Sequence, residues 1–229
     1  MKELSKKQSC ISVVLKVITI LSAVTGTAIS ALAAGSTFMG GKVVFMYFTI
    51  QSNIAIAVIC AIGLYLMLSR KKIPDVWHLI KFVGSVSITL TGVVFCAVLA
   101  PTLGDKAWNL QNILTHVIVP LAAVADMFVT GINGSISKCG VLWCIVPPII
   151  YAIYAGIGYV RGWKFSANAT YPYFFLNWGS PAGALGFSDE LPYMGCVWWI
   201  LAILIFLLAV GYGYRAVILM IKKHIGKDR

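Results

Sequence analysis

Long apolar runs alternate along the chain with shorter polar or Gly/Pro-rich links. A helix needs about 20 mainly apolar residues to cross the hydrocarbon core of a bilayer. The runs therefore predict an all-α, polytopic membrane protein in which residues 1–229 form a single domain. The six predicted spans cover about residues 11–34, 43–68, 79–100, 110–131, 141–160 and 194–221.

The first apolar run follows a basic segment, Met1–Lys7, and in this respect resembles a secretory signal peptide. The sequence Ala31-Leu32-Ala33 also matches the small-residue pattern of a cleavage site. However, the run is about twice as long as a signal-peptide core, and it contains Lys16. We therefore predict a retained membrane helix.

Composition agrees with a membrane location, because only 11% of the residues are charged and 60% are hydrophobic. Ordinary soluble domains carry about 25% charged residues, so a soluble enzyme, a disordered regulator and a coiled coil are excluded. The net charge of +11 needs no nucleic-acid partner, since Lys and Arg accumulate in the cytoplasmic loops of membrane proteins. No Cys-x-x-Cys or Cys/His spacing indicates a zinc site, so neither metal nor cofactor is expected.

The basic residues also predict how the helices are oriented. If the N-terminus is cytoplasmic, four of the 18 Lys and Arg residues fall outside, which leaves fourteen on the cytoplasmic side. The four are Lys42, Lys106, Arg161 and Lys164. Because cytoplasmic loops are enriched in Lys and Arg, both termini are predicted to be cytoplasmic.

A long link, residues 161–193, joins the fifth and sixth spans on the outer side and is rich in aromatic residues and Pro. Aromatic rings with a polar edge favour the headgroup depth, so the link could be an interfacial belt or a re-entrant loop. It could also be a lid over a site, or the rim of a lipid portal. For that role the candidates are Tyr171, Pro172 and Tyr173. The two interpretations are compatible.

Polar side chains cluster near the outer end of the second span. Thr49, Ser52 and Asn53 follow the spacing i, i+3 and i+4, so they share one face of a helix. Polar groups in hydrocarbon are costly and need a partner or a purpose.

The fourth span presents a second polar face, with Asn109, Asn112 and His116 at i, i+3 and i+7. At about 1.5 Å per residue, His116 and Thr49 both lie roughly 9–12 Å below the outer edge. A hydroxyl and an imidazole at matching depth form a nucleophile and base pair if their helices touch.

The chemistry of such a pair is that of a hydrolase. A hydroxyl such as that of Thr49 is a weak nucleophile until a positioned base, here His116, takes its proton. The candidates for stabilising an oxyanion or positioning substrate are Ser52, Asn53 and Asn112. In the alternative interpretation these residues are structural, because Ser, Thr and Asn often join membrane helices by hydrogen bonds.

Asp126 has a different predicted role. It lies ten residues beyond His116, or about 15 Å along the helix axis, which is too far to orient the imidazole. We predict that Asp126 forms a structural ion pair with Lys16, Lys81 or Arg215 on the cytoplasmic side.

Three segments carry a resemblance to a known family. The sequence Tyr47–Asn53, the sequence Thr115–Pro120 with the later Asp126, and the aromatic sequence Tyr171–Asn177 resemble motifs of the androgen-induced-gene family of multi-pass membrane proteins. The residues in these motifs are most similar to those of the bacterial branch of that family. Six spans with cytoplasmic termini also fit the family along nearly the whole chain.

The resemblance implies more than the spacing does. Characterised animal members are intramembrane threonine hydrolases that cleave fatty acid esters of hydroxy fatty acids, with a Thr in the second span and a His in the fourth. The matching residues are Thr49 and His116. The resemblance therefore implies an intramembrane hydrolase of lipid esters that forms an acyl-threonine, with membrane lipids as its partners, in a bacterial inner membrane.

Two other functions stay open at the level of sequence. The same polar residues could line the cavity of a small-molecule or ion transporter. Alternatively, the protein could bind a lipid or a partner protein without catalysis. The sequence does not determine the oligomeric state.

Overall fold

The computed structural model describes residues 5–33, 41–71, 73–130 and 136–227. In these ranges the chain is helical apart from its links, and no β-strand forms. Six helices in them are long and apolar enough to cross a membrane, which confirms the predicted all-α class and the predicted number of candidate spans. They are α1 Lys6–Leu32, α2 Phe48–Leu68, α3 Asp75–Ala107, α4 Leu110–Thr130, α5 Lys138–Val160 and α6 Cys196–Lys227.

Several helices extend beyond the apolar runs that predicted them. Helix α1 begins five residues before its predicted span, because Ser5 and Gln8 form a capping box. Helix α3 starts at Asp75, directly after Pro74, and an acidic residue in the first turn stabilises a helix N-terminus. The starts of these helices therefore depend on the capping box of α1 and on Pro74 and Asp75 of α3, and not on hydropathy alone.

The first four helices pack around one another, and α5 and α6 flank α3. Helix α1 packs along α2 and α4, while α3 contacts α2 and α4 from the other side. The end of the bundle at which α2, α4 and α6 begin is called the loop end. The opposite end, at which α1 begins, is called the terminal end. A buried cluster that includes Phe82, Met127 and Leu207 joins α3, α4 and α6.

The link between α5 and α6 folds back onto the loop end. Its side chains Phe165, Tyr173, Phe175 and Leu176 are buried in one core cluster with Tyr47, which directly precedes α2. The aromatic composition of the link therefore reflects a packed cap on the bundle. This cap brings link residues into contact with the start of α2.

Helices α3 and α4 each contain one π turn, at Phe95–Leu99 and at Leu114–Ile118. A proline follows each turn two residues later, Pro101 in α3 and Pro120 in α4. Because proline has no N–H, it removes one hydrogen bond from the preceding turn of the helix. The two irregular turns lie next to each other, and such turns occur frequently at functional sites.

Candidate functional site

Thr49 lies at the start of α2, where the helix has no side-chain cap. The first N–H groups of a helix have no partner within the helix. Here the N–H of Thr49 donates to the phenol oxygen of Tyr173 over 3.3 Å, and the Thr49 hydroxyl lies 3.3 Å from the same oxygen. Thr49 is only 4% exposed. The predicted nucleophile is therefore buried and contacts a residue of the aromatic link.

Tyr173 is held in place by other aromatic rings. Its ring stacks on Phe175 at 5.1 Å and meets the edge of Tyr47 at 5.7 Å. Tyr47 in turn donates a hydrogen bond to the carbonyl oxygen of Phe165 over 2.7 Å. Burial raises the pKa of Tyr173 above the ordinary value of 10.0. The phenol is therefore a neutral hydrogen-bond donor at neutral pH.

A cavity of about 50 Å³ lies beside Thr49. Its polar side chains are Thr49, Thr91, Tyr151 and Tyr173, and the rest of its lining is apolar. A space of this size holds at least one water molecule. Thr49 thus lines a small, largely apolar space.

His116 is buried in the π turn of α4. Its Nδ1 lies 3.1 Å from the carbonyl oxygen of Asn112 and 3.0 Å from the Thr115 hydroxyl. When Nδ1 donates to the carbonyl oxygen, Nε2 carries the free lone pair that a general base needs. Among the described residues, nothing forms a hydrogen bond with Nε2.

Phe95 lies against the imidazole of His116. The two rings stack at 4.0 Å with an interplanar angle of 24°. Phe95 lines the cavity beside Thr49, whereas His116 does not. In this conformation the Phe95 ring therefore covers the face of His116.

The helices that carry Thr49 and His116 touch each other. The amide nitrogen of Asn53 donates to the carbonyl oxygens of Thr49, at 2.8 Å, and of Thr115, at 3.1 Å. In the described part of the chain, no hydrogen bond joins the Thr49 hydroxyl to the His116 ring. The structure thus brings the two helices together without forming the nucleophile and base pair.

The predicted oxyanion candidates hold helices together. Asn53 uses both of its amide hydrogens on backbone carbonyls, and the amide nitrogen of Asn112 donates to the carbonyl oxygen of Ala107. The Ser52 hydroxyl lies 2.7 Å from that of Thr91 and connects α2 to α3. None of the three candidates lines the Thr49 cavity. The contacts of Ser52, Asn53 and Asn112 fit the structural alternative, and a role in stabilising an oxyanion stays a prediction for these residues.

The predicted lid or rim residues lie in the packed part of the link. Pro172 and Tyr173 are buried, and Tyr171 is partly buried. These residues do not form an exposed rim, because the link packs into the loop end. Of the three, Tyr173 lines the cavity.

The ion pair predicted for Asp126 is formed with Lys16 and Lys81, each at 2.7 Å. Ser12 donates to the same carboxylate over 2.5 Å, and Thr130 accepts a hydrogen bond from Lys81 over 2.7 Å. We name these five residues the Asp126 cluster. They join α1, α3 and α4 in the half of the bundle nearer the terminal end. All charged groups of the Asp126 cluster have hydrogen-bond or ion-pair partners.

Arg215, the third predicted partner of Asp126, is bound elsewhere. Its Nε donates to the carbonyl oxygen of Ile136 over 2.7 Å. This contact fastens α6 to the segment that precedes α5.

Three contributors to the site were not identified from the sequence, namely Phe95, Tyr151 and Gly92. The two aromatic side chains lie in apolar runs, where they look like ordinary core residues. At Gly92, a Cβ atom would lie 3.0 Å from the carbonyl oxygen of His116, so glycine allows α3 to approach α4 closely. A signal existed only for this last contact, because an isolated glycine within a helical pattern often marks close packing.

The chain matches no family model, no curated protein and no solved structure. The resemblance to the androgen-induced-gene family therefore rests on the motifs around Thr49, His116 and Tyr173.

Proposed function

We propose that this protein is a membrane-embedded hydrolase of lipid esters with Thr49 as its nucleophile. The observation that carries the proposal is the position of the Thr49 hydroxyl. It is buried at an uncapped helix N-terminus, faces a largely apolar cavity and contacts the phenol of Tyr173. A hydroxyl placed in this way is shielded from bulk water and lies beside donors for a developing negative charge.

Tyr173 and the start of α2 supply the oxyanion site in this proposal. A substrate carbonyl oxygen that enters between Thr49 and Tyr173 accepts hydrogen bonds from the phenol and from the N–H of Thr49. The Thr49 N–H donates to the phenol oxygen itself, and we expect the substrate carbonyl oxygen to replace this contact and to lie within reach of both donors. The partial positive charge of the helix N-terminus adds to this stabilisation. These donors replace Ser52, Asn53 and Asn112, which were predicted from the sequence.

The reaction has two steps. The Thr49 oxygen attacks the ester carbonyl while its proton passes to Nε2 of His116, and the departing alkoxide takes that proton to leave as an alcohol. Water then attacks the acyl-threonine and gives a proton to His116. The Thr49 oxygen leaves with that proton, and the fatty acid is released. His116 thus acts as base and then as acid in each step.

The first step requires one rearrangement. The Phe95 ring covers the face of His116 and also lines the cavity. We expect a bound ester to displace this ring, so that Nε2 approaches the Thr49 hydroxyl. Catalytic hydrogen bonds are often absent or long before substrate binds and tighten in the complex.

The distribution of basic residues supports an orientation in which the loop end faces outward and both termini are cytoplasmic. Thr49 then lies in the outer half of the membrane. The ester substrate comes from the outer leaflet. In line with the bacterial wording of its motifs, we assign the protein to a bacterial inner membrane.

A transporter would need a polar path from one end of the bundle to the other. A buried apolar layer separates the Thr49 site from the Asp126 cluster along the length of the bundle. It consists of Ile56, Ile88, Val119 and Ala123. This layer favours hydrolysis over transport. The remaining alternative, lipid binding without catalysis, is separated from hydrolysis by the first experiment.

That experiment measures the release of fatty acid from a medium-chain ester by protein in lipid nanodiscs. We expect turnover by the wild type and a loss of at least about a thousandfold in Thr49→Ala, Thr49→Val and His116→Ala. Thr19→Ala is the matched control, because Thr19 is also a buried threonine but does not line the Thr49 cavity. Full turnover in folded Thr49→Val would contradict the proposal, since valine keeps the shape and lacks the hydroxyl.

A further inference from the structure

A second and larger cavity opens on the flank of the bundle between α2, α3 and α5. It has a volume of about 700 Å³, within the roughly 300–1,000 Å³ range of small-molecule sites. Its lining is almost entirely apolar and includes Ala55, Ile59, Val83 and Ile150. We name this cavity the flank groove.

Only one layer of side chains separates the flank groove from the Thr49 cavity. Phe48 and Tyr151 line both spaces, and their rings meet edge to face at 5.3 Å. Ser52 lines the groove and Thr91 lines the cavity, and their hydroxyl oxygens lie 2.7 Å apart. A ligand in the groove therefore ends within a side chain's width of Thr49.

The shape of the groove suits a single extended hydrocarbon chain. Along α2 it runs from Phe48 to Ile59, eleven residues or about 17 Å at the helical rise. Its polar side chains on α2, Gln51 and Ser52, are at the end nearest to Thr49. The lining further along α2 is apolar. A ligand with one polar end and a long apolar tail matches this gradient.

The flank of a membrane-spanning bundle contacts the acyl chains of the bilayer. We propose that the flank groove binds the acyl chain of the ester, with the tail towards the terminal end and the ester end passing the Phe48 and Tyr151 wall to bring the carbonyl group between Thr49 and Tyr173. This inference rests on the proposed function and deepens it. It makes the substrate class a long-chain acyl ester that reaches Thr49 sideways from the membrane.

The test fills the groove without touching Thr49. Ala55→Trp places a bulky ring in the groove, and Val58→Trp is the matched control on the same helix. Ala55 and Val58 are both exposed, and Val58 does not line the groove. We expect Ala55→Trp to lower the ratio of long-chain to short-chain kcat/KM by at least about tenfold, whereas Val58→Trp keeps the wild-type ratio. An unchanged ratio in folded Ala55→Trp overturns the proposal.

A binding measurement separates this inference from the proposed function. Protein carrying Thr49→Ala, in nanodiscs, is photolabelled with a long-chain fatty acid methyl ester that bears a diazirine in its tail. We expect labelled peptides from α2, α3 and α5 at the groove, and loss of this label when Ala55→Trp is added. Label lost in Ala55→Trp without any ester turnover by the wild type would retain the groove and refute the hydrolase. Thr49-dependent turnover with the same label in Ala55→Trp would refute the groove alone.

Discussion

Two groups of buried polar residues lie in the same bundle, and they differ in how fully their hydrogen bonds are satisfied. In the Asp126 cluster, the carboxylate and both ammonium groups have charged or polar partners at 2.5–2.9 Å. In the Thr49 site, the hydroxyl of Thr49 has one contact at 3.3 Å. There, Nε2 of His116 forms no hydrogen bond with the described residues.

Buried polar groups are normally paired, because an unpaired one costs free energy. A cluster whose charged groups are all paired with one another joins the helices that carry them and keeps little hydrogen-bonding capacity for a ligand. A site with unpaired groups keeps its hydrogen-bonding capacity for a substrate. The comparison therefore assigns stability to the Asp126 cluster and chemistry to the Thr49 site, although both contain ionisable residues inside the membrane.

The largest effect is expected when the ion pair of the Asp126 cluster is broken. Asp126→Asn leaves Lys16 and Lys81 buried without a counter-charge, which costs about 3–5 kcal/mol of folding stability. Thermal unfolding in detergent checks this, with the exposed Asp105→Asn as the control. The folded fraction of Asp126→Asn should retain its ester turnover. A stable but inactive Asp126→Asn protein would reverse the roles of the two regions.

A smaller effect, on turnover and not on folding stability, is expected at Tyr173. Tyr173→Phe removes the phenol donor next to Thr49 and should lower kcat by about a hundredfold, as the loss of one oxyanion donor does. Tyr214→Phe is the matched control, because it also removes a tyrosine hydroxyl bonded to a threonine, Thr89, at 2.9 Å. The kcat of Tyr214→Phe should equal that of the wild type. If Tyr173→Phe raises KM and leaves kcat unchanged, the phenol stabilises the ground state and the transition state equally and has no oxyanion role.

The smallest effect is expected at Gly92, where α3 approaches the π turn of α4 closely. Gly92→Ala places a methyl group 3.0 Å from the carbonyl oxygen of His116, which forces α3 and α4 apart. We expect a loss of about 1–3 kcal/mol in stability and reduced turnover, because Phe95 and His116 shift relative to each other. Gly213→Ala in α6 has open space around it and should instead stabilise the protein by about 0.5–1 kcal/mol. Equal stability of the two variants would show that the close approach at Gly92 has no consequence.

The sequence predicted the parts of this comparison that depend on the membrane alone. Runs of apolar residues identify spanning helices, because the bilayer demands them. A carboxylate in such a helix must find a cation, so the partners Lys16 and Lys81 could be named in advance for Asp126. Spacing and depth also placed Thr49 and His116 on helices that do touch.

The arrangement within the site could not be predicted, because it depends on which side chains meet after folding. Phe95 is one of many apolar residues in its helix, and nothing in its neighbourhood in the sequence indicates that its ring stacks on His116. The contact between Tyr173 and Thr49 joins residues 124 positions apart in the chain. Asn53 had the chemistry of an oxyanion donor, but its amide hydrogens are used by two carbonyls that only the folded chain brings together.

Mapping a covalent adduct tests whether Thr49 is an activated nucleophile. Purified protein in nanodiscs is treated with a long-chain fluorophosphonate, digested and analysed by mass spectrometry, alongside Thr49→Ala, His116→Ala and the control Thr19→Ala. We expect one adduct on Thr49 in the wild type and in Thr19→Ala, and none in Thr49→Ala or His116→Ala. An adduct on another residue that persists in folded Thr49→Ala, together with ester turnover by that variant, would contradict this role of Thr49.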